Sequence, residues 1–241
     1  MPIKAVLFDM FDTLMMIEKD HEFYAPAIQR MYHYLSTRGI DVSFEKFQDI
    51  YRQERAKLYA KADITLEEPH FNVRVSQTLG ALGYTYPTTS PLVCGATQEF
   101  YEEFMKFCRL DPNATSTLKA LYGKYKLGIV SNFAIPECVH KLLKADAIDS
   151  FFEVVVVSGT INKRKPSPEI FEHALTLMGV SATETAFVGD TVEADIQGAK
   201  AMGMRAIYIE RRVQKSPERF YPDRTIKSLS ELPLALKEDS A

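Results

Sequence analysis

Three cysteines in 241 residues, Cys94, Cys108 and Cys138, are too few and too widely spaced for a zinc or dithiol motif. They read as buried thiols in a reducing compartment. An excess of charge is also lacking: 29 Lys and Arg oppose 32 Asp and Glu, a net −3 at pH 7. Without a basic stripe interleaved with aromatics there is no footprint for nucleic acid. No apolar run approaches the roughly 20 residues that span a bilayer. The first residues enter a strand pattern directly, with no basic region leading to an apolar stretch and a cleavage site, so a cytoplasmic protein without membrane contact is expected. Internal repeats, low-complexity tracts and Gly/Ser- or Pro-rich linkers are missing. That leaves one large core, or a core with a smaller unit inserted through short connections. Hydrophobic residues at 46% and charged ones at 25% are ordinary for a globular chain.

Residues 4–8 are mostly apolar and β-favouring, and they end abruptly in Asp9. A buried parallel strand reads this way when it delivers a side chain to the carboxyl edge of a sheet. Ligands bind at that edge in open α/β sheets, and a carboxylate there can be a nucleophile or a hard-metal ligand. The next seventy or so residues show no convincing strand. Helical spacing appears over 21–38, 43–59, 71–82 and 91–109, with Ser43 as a cap and Gly39 and Gly83 as stops. From residue 113 the pattern alternates helix and strand, the mark of βαβ units and an α/β fold. Strands are expected at 127–130, 152–157, 186–188 and 206–209. A charged loop over 211–223 and a terminal helix over 228–236 complete the reading.

Three later segments offer chemistry matching Asp9. The strand at 127–130 runs into Ser131 and Asn132, a basic loop presents Lys165 before Pro166, and the strand at 186–188 runs into Gly189 and Asp190, with Asp195 after it. Each piece alone has an ordinary explanation. Ser131 and Asn132 suit a turn, Lys165 a solvated charge run, Asp190 an N-cap and Asp195 a first helical turn. Two carboxylates brought near Asp9 would, however, form a hard oxygen site that suits Mg²⁺. An extended residue before proline can aim Lys165 inward, where each close pair with a carboxylate is worth about 4 kcal/mol at an effective dielectric near 20.

In order and context the set resembles the haloacid dehalogenase superfamily, over nearly the whole chain. Its pattern is an Asp-rich first loop, commonly FDLDDTL or FDLDGTL, a Ser or Thr after the second strand, a Lys before Pro, and GDxxxxD. The resemblance implies a Rossmann-like parallel-sheet core over residues 1–16 and 94–241. An all-α cap over 17–93 would be hinged near Met16 and Cys94. It further implies that Asp9 forms a covalent aspartyl intermediate, assisted by Thr13, Ser131 and Lys165. Asp9, the Phe11 carbonyl and Asp190 would hold Mg²⁺, with Asp195 in support, and Phe11 and Asn132 would bind substrate.

One position departs from the phosphatases of the superfamily. Two residues after the nucleophile they carry a second Asp as general acid, and here stands Phe11; Asp12 matches the next position. An aromatic residue there resembles the 2-haloacid dehalogenases, which however lack the intact GD pair and use no metal. A general acid is worth about 10²–10⁴ in rate, so without one the leaving group must depart unaided. The expected reaction is hydrolysis of a small anionic phosphorylated metabolite with a good leaving group. The alternatives are (S)-2-haloacid dehalogenation and, in another class, a non-catalytic ligand-binding module. The run Tyr51-Arg52-Gln53-Glu54 loosely resembles the dehalogenase cap segment WRQKQ, which makes Arg52 a candidate substrate ligand. The sequence leaves a homodimer open.

Overall fold

The computed structural model describes residues 2–18, 22–211 and 221–237. The expected helix start at His21 and most of the charged loop over 211–223 lie outside these residues. In chain order the strands are β1 (Ala5–Phe8), β2 (Met15–Ile17), β3 (Cys108–Leu110), β4 (Lys126–Ser131), β5 (Val154–Val157), β6 (Thr185–Gly189), β7 (Arg205–Ile209) and β8 (Arg224–Ile226). The helices are α1 (Tyr24–Ser36), α2 (Phe44–Thr65), α3 (Phe71–Ala81), α4 (Pro91–Met105), α5 (Ala114–Leu121), α6 (Pro136–Ala145), α7 (Ser158–Ile161), α8 (Pro168–Met178), α9 (Gly198–Ala201) and α10 (Leu232–Ala235).

Strand β1 is apolar at every position because both faces of its sheet are covered. Side chains alternate across a strand, so Val6 and Phe8 enter one core while Ala5 and Leu7 enter the other. The sheet runs β5-β4-β1-β6-β7-β8, with every neighbouring pair parallel. Phe8 lies opposite both Ile129 and Val188, and the Asp9 amide donates to the Val188 carbonyl at 2.8 Å. That register brings the carboxyl ends of β1, β4 and β6 to one edge. The α/β class and Rossmann-like sheet expected from sequence are thus present. Strand β8 is an addition, since the sequence pattern ends the sheet at β7.

Helices α1 to α4 form the inserted helical unit, packed around Phe47, Tyr51, Phe71, Phe100 and Phe104. Ser43 caps α2 by accepting from the Lys46 amide at 3.3 Å, and Ser90 caps α4 from the Val93 amide at 3.2 Å with Pro91 in the first turn. Helix α4 runs unbroken through Cys94, the position near which the second hinge is expected. The chain returns to the core one strand later, where β3 pairs antiparallel with β2 and the Glu18 amide donates to the Phe107 carbonyl at 2.8 Å. Main-chain bonds also tie this helical unit to the loops above the sheet. Phe71 N donates to Ala134 O at 2.8 Å, and Arg164 N to Leu66 O at 2.9 Å. Ser158 Oγ donates to Glu68 and accepts from the Phe133 amide. No helix of the described residues is long and apolar enough to cross a membrane.

Candidate active site

After β1 the chain turns sharply. Leu14 N and Met15 N both donate to Met10 O, and Asp12 takes a left-handed conformation with φ of 57°. Asp tolerates that region because its short polar side chain bonds locally, here accepting from Ile17 N at 3.2 Å. The turn leaves Asp9 at the sheet edge, 8% exposed. Lys165, 2% exposed, reaches it with Nζ 2.6 Å from Asp9 Oδ1 and 2.7 Å from Asp195 Oδ1. Its main chain is held by Asn132, whose Oδ1 accepts from Lys165 N at 2.7 Å while Nδ2 donates to Lys165 O at 2.9 Å. The Asn132 side chain thus positions Lys165, and the same residue borders the cavity between the helical unit and the core.

Strand β6 delivers Asp190, and a π-helical turn over Val192–Gln197 folds Asp195 back beside it. Asp195 Oδ2 accepts from Thr191 N at 2.9 Å. Only glycine fits at 189, because a Cβ there would lie 2.4 Å from the Asp195 carboxyl carbon. Asp9, Asp190 and Asp195 each offer an oxygen within 4.8 Å of the others, and all three are buried. Burial raises the Asp9 carboxyl to about 6, with Lys165 opposing the shift and Asp195 adding to it. Burial and the Asp9, Asp195 and Asp12 charges raise Asp190 further, to about 8. Burial also disfavours the Lys165 charge, but Asp195 and Asp9 outweigh it and hold the ammonium above its ordinary range. Three carboxylates facing one ammonium thus form a site short of positive charge. A hard divalent cation answers that deficit, and the all-oxygen donor set suits Mg²⁺.

Thr13 and Ser131 flank this centre, fully buried, and neither hydroxyl has a hydrogen-bond partner among the described residues. The Phe11 side chain brings no polar group. Its ring centroid lies 4.7 Å from Phe133 and 5.5 Å from Phe104, so it belongs to an aromatic wall. Beyond that wall is a cavity of about 240 Å³ between cap and core, bordered by Asn132, Phe133 and Arg164 from the core and by Arg55, Arg74 and Tyr59 from the cap. Arg52 is not among its neighbours. Its side chain is 62% exposed and meets Asp49 at 3.7 Å across one helical turn, because position 52 lies off the stripe that buries Phe47 and Tyr51.

Sequence reading also missed Arg211. Its Nε donates to Asp12 O at 3.1 Å, its Nη2 to Thr13 O at 2.8 Å, and it pairs with buried Asp111 at 2.6 Å. It thereby clamps the loop after Asp9 to the segment after β3. A single arginine past the last recognisable strand gives no periodic signal, so only the fold shows it.

Comparisons with known proteins agree with this geometry. A profile of haloacid dehalogenase-like hydrolases matches residues 3–203. A glyceraldehyde 3-phosphate phosphatase of Methanocaldococcus jannaschii is 30% identical over 235 residues, 95% of each chain. The crystal structure of a HAD phosphatase from Thermococcus onnurineus aligns over 98% of both chains with a TM-score of 0.69 and 25% identity. A 2-haloacid dehalogenase from Pseudomonas syringae pv. Tomato DC3000 aligns over 98% of this chain and 99% of its own, with a TM-score of 0.75. At 23% identity that last likeness concerns the fold alone. The family profile spans most of the sequence and a 30% identical relative is covered almost end to end, so the chain belongs to the haloacid dehalogenase-like hydrolases.

Proposed function

We propose that this hydrolase is a Mg²⁺-dependent phosphatase that forms an aspartyl-phosphate on Asp9 and acts on a small phosphorylated metabolite with a good leaving group. The observation that carries the reading is the buried cluster of Asp9, Asp190 and Asp195 around one lysine. With a carboxyl value of about 6, Asp9 is largely ionised at neutral pH and able to attack phosphorus. The P–O bond to the leaving group breaks as the aspartyl-phosphate forms, and water then releases phosphate and restores the carboxylate. Lys165 fixes the Asp9 carboxylate and offsets negative charge, and the Thr13 and Ser131 hydroxyls supply hydrogen bonds to the phosphoryl oxygens. Asp9, Asp190 and the Phe11 carbonyl would hold Mg²⁺, with Asp195 supporting through Lys165. The cation's contribution is to neutralise the phosphoryl group. Phe11 cannot protonate a leaving group, which selects acyl phosphates and anhydrides over alkyl esters. Relatives named glyceraldehyde 3-phosphate phosphatase favour phosphatase chemistry as such, their named substrate being an alkyl ester.

Phosphate release from acetyl phosphate and p-nitrophenyl phosphate, with Mg²⁺ and with excess chelator, tests it. Activity on acetyl phosphate that chelation suppresses and Asp190→Ala mimics is the expected result; full activity in chelator removes the metal from the reaction. The aromatic wall around Phe11 favours a second reading, displacement of halide from carbon. Chloride release from L-2-chloropropionate in chelator would establish it.

A further inference from the structure

Arg55 on α2 and Arg74 on α3 face the cavity between cap and core, yet among the described residues neither forms an ion pair. Arg74 is only 9% exposed. The Nε atoms of both are buried without a hydrogen-bond partner. Their neighbours are aromatic. The Arg55 guanidinium lies 4.7 Å from the Tyr24 ring centroid and 4.8 Å from that of Tyr59. That of Arg74 lies 4.9 Å from Phe71 and 5.4 Å from Tyr59, and its Nη1 donates to the Tyr51 hydroxyl at 3.3 Å. Arg164 borders the same cavity from the core side. The single carboxylate at the cavity, Glu68, already accepts from Ser158. Three guanidinium groups against one engaged carboxylate leave the cavity cationic.

A buried arginine that lacks an anion bears a desolvation cost, and stacking on aromatic rings meets only part of it. The planar forks of such groups match a carboxylate or phosphoryl group with two parallel bonds. We infer that the substrate carries a second anionic group, remote from the reacting one, and that Arg55 and Arg74 bind it across a short carbon body lying against the aromatic wall. This rests on the phosphatase reading and narrows it to doubly anionic metabolites. Arg52, the neighbour that sequence similarity favours, has no part in it.

Phosphonates test the inference without turnover. Phosphonoacetate, 3-phosphonopropionate and 4-phosphonobutyrate are titrated calorimetrically into the Mg²⁺-loaded protein. Each is compared with the alkylphosphonate in which a methyl group replaces the carboxylate. Propane-1,3-bisphosphonate shows whether the second anion is phosphoryl instead. At least one doubly anionic probe should bind about tenfold or more tightly than its alkyl partner, as expected for charge-assisted bonds in a buried site. Arg74→Gln and Arg55→Gln should each remove most of that preference, and Arg74→Lys should keep part of it. If Arg74→Gln fails to fold, the half-buried Arg55 decides alone. Equal affinity within every pair, or a preference that survives both glutamine variants, overturns the inference. If the alkylphosphonates also fail to bind and acetyl phosphate is not hydrolysed, the phosphatase reading has failed instead.

Discussion

At the sheet edge, three carboxylates crowd one lysine, and Lys165 lies within 2.7 Å of both Asp9 and Asp195. Across the cavity, Arg55 and Arg74 face aromatic rings and, among the described residues, meet no carboxylate. The sheet edge is short of positive charge, and the lining of the cavity is short of negative charge. A phosphorylated anion with its cation supplies both. Under the proposed function chemistry and recognition sit on separate elements, and variants in one half should leave the signature of the other intact.

The largest effect is expected from Asp9→Asn, which keeps the side chain's shape and removes the nucleophile. Turnover of acetyl phosphate should fall by about 10⁴-fold or more while the circular dichroism spectrum is unchanged. Residual activity within tenfold of wild type would place the nucleophile elsewhere.

Phe11→Asp comes next. A carboxyl group restored beside Asp9 should raise hydrolysis of alkyl phosphates by about 10²-fold and leave activated phosphates little changed. Under halide displacement the same substitution puts a charge in an apolar wall and haloacid turnover collapses. The ratio of alkyl to acyl phosphate rates reads out the difference.

A third expectation concerns pH. In the metal-free protein Asp9 and Asp190 are raised to about 6 and about 8 from 3.8, so the folded state binds protons that the unfolded chain releases. Their contribution to stability is full below pH 3.8 and is lost as pH rises through 6 and 8. In chelator, thermal melts should therefore show a lower Tm at pH 8.5 than at pH 5.5, and Mg²⁺ should raise Tm most at pH 8.5. Asp190→Asn should flatten this dependence, whereas Arg55→Gln should not alter it.

The smallest effect belongs to Arg52→Ala. An exposed side chain with one long i,i+3 contact should change stability by less than about 0.5 kcal/mol in urea melts. Phosphonate affinities should not move.

The core was legible because a strand's carboxyl end is a place that sequence can mark. An apolar run followed at once by Asp9, Ser131 or Asp190 states both the strand and its exit, and parallel register aligns the exits. The cap was less legible because a helix distributes its side chains by phase. Reading residues 51–54 as a motif favoured Arg52, whereas Phe47, Tyr51 and Leu58 define an apolar stripe passing through 54 and 55. Glu54 is buried and Arg55 half-buried on it, so the signal was present and phase was the means to read it. The boundary expected near Cys94 was hard to place for a related reason, since Ser90 and Pro91 start a helix that carries position 94 inside it. Arg211 depends on contacts with Asp111, 100 residues earlier, which no local pattern encodes.

The bonds that seat the cap on the core include two between main-chain groups, Phe71 to Ala134 and Arg164 to Leu66. A peptide group is the same whatever residue bears it, so these two attachments do not depend on which side chains line the cavity beneath them. Substrate preference can therefore drift by substitution at 55, 59 or 74 without unseating the cap. A lineage could exchange one metabolite for another while inheriting the same closure and the same nucleophile.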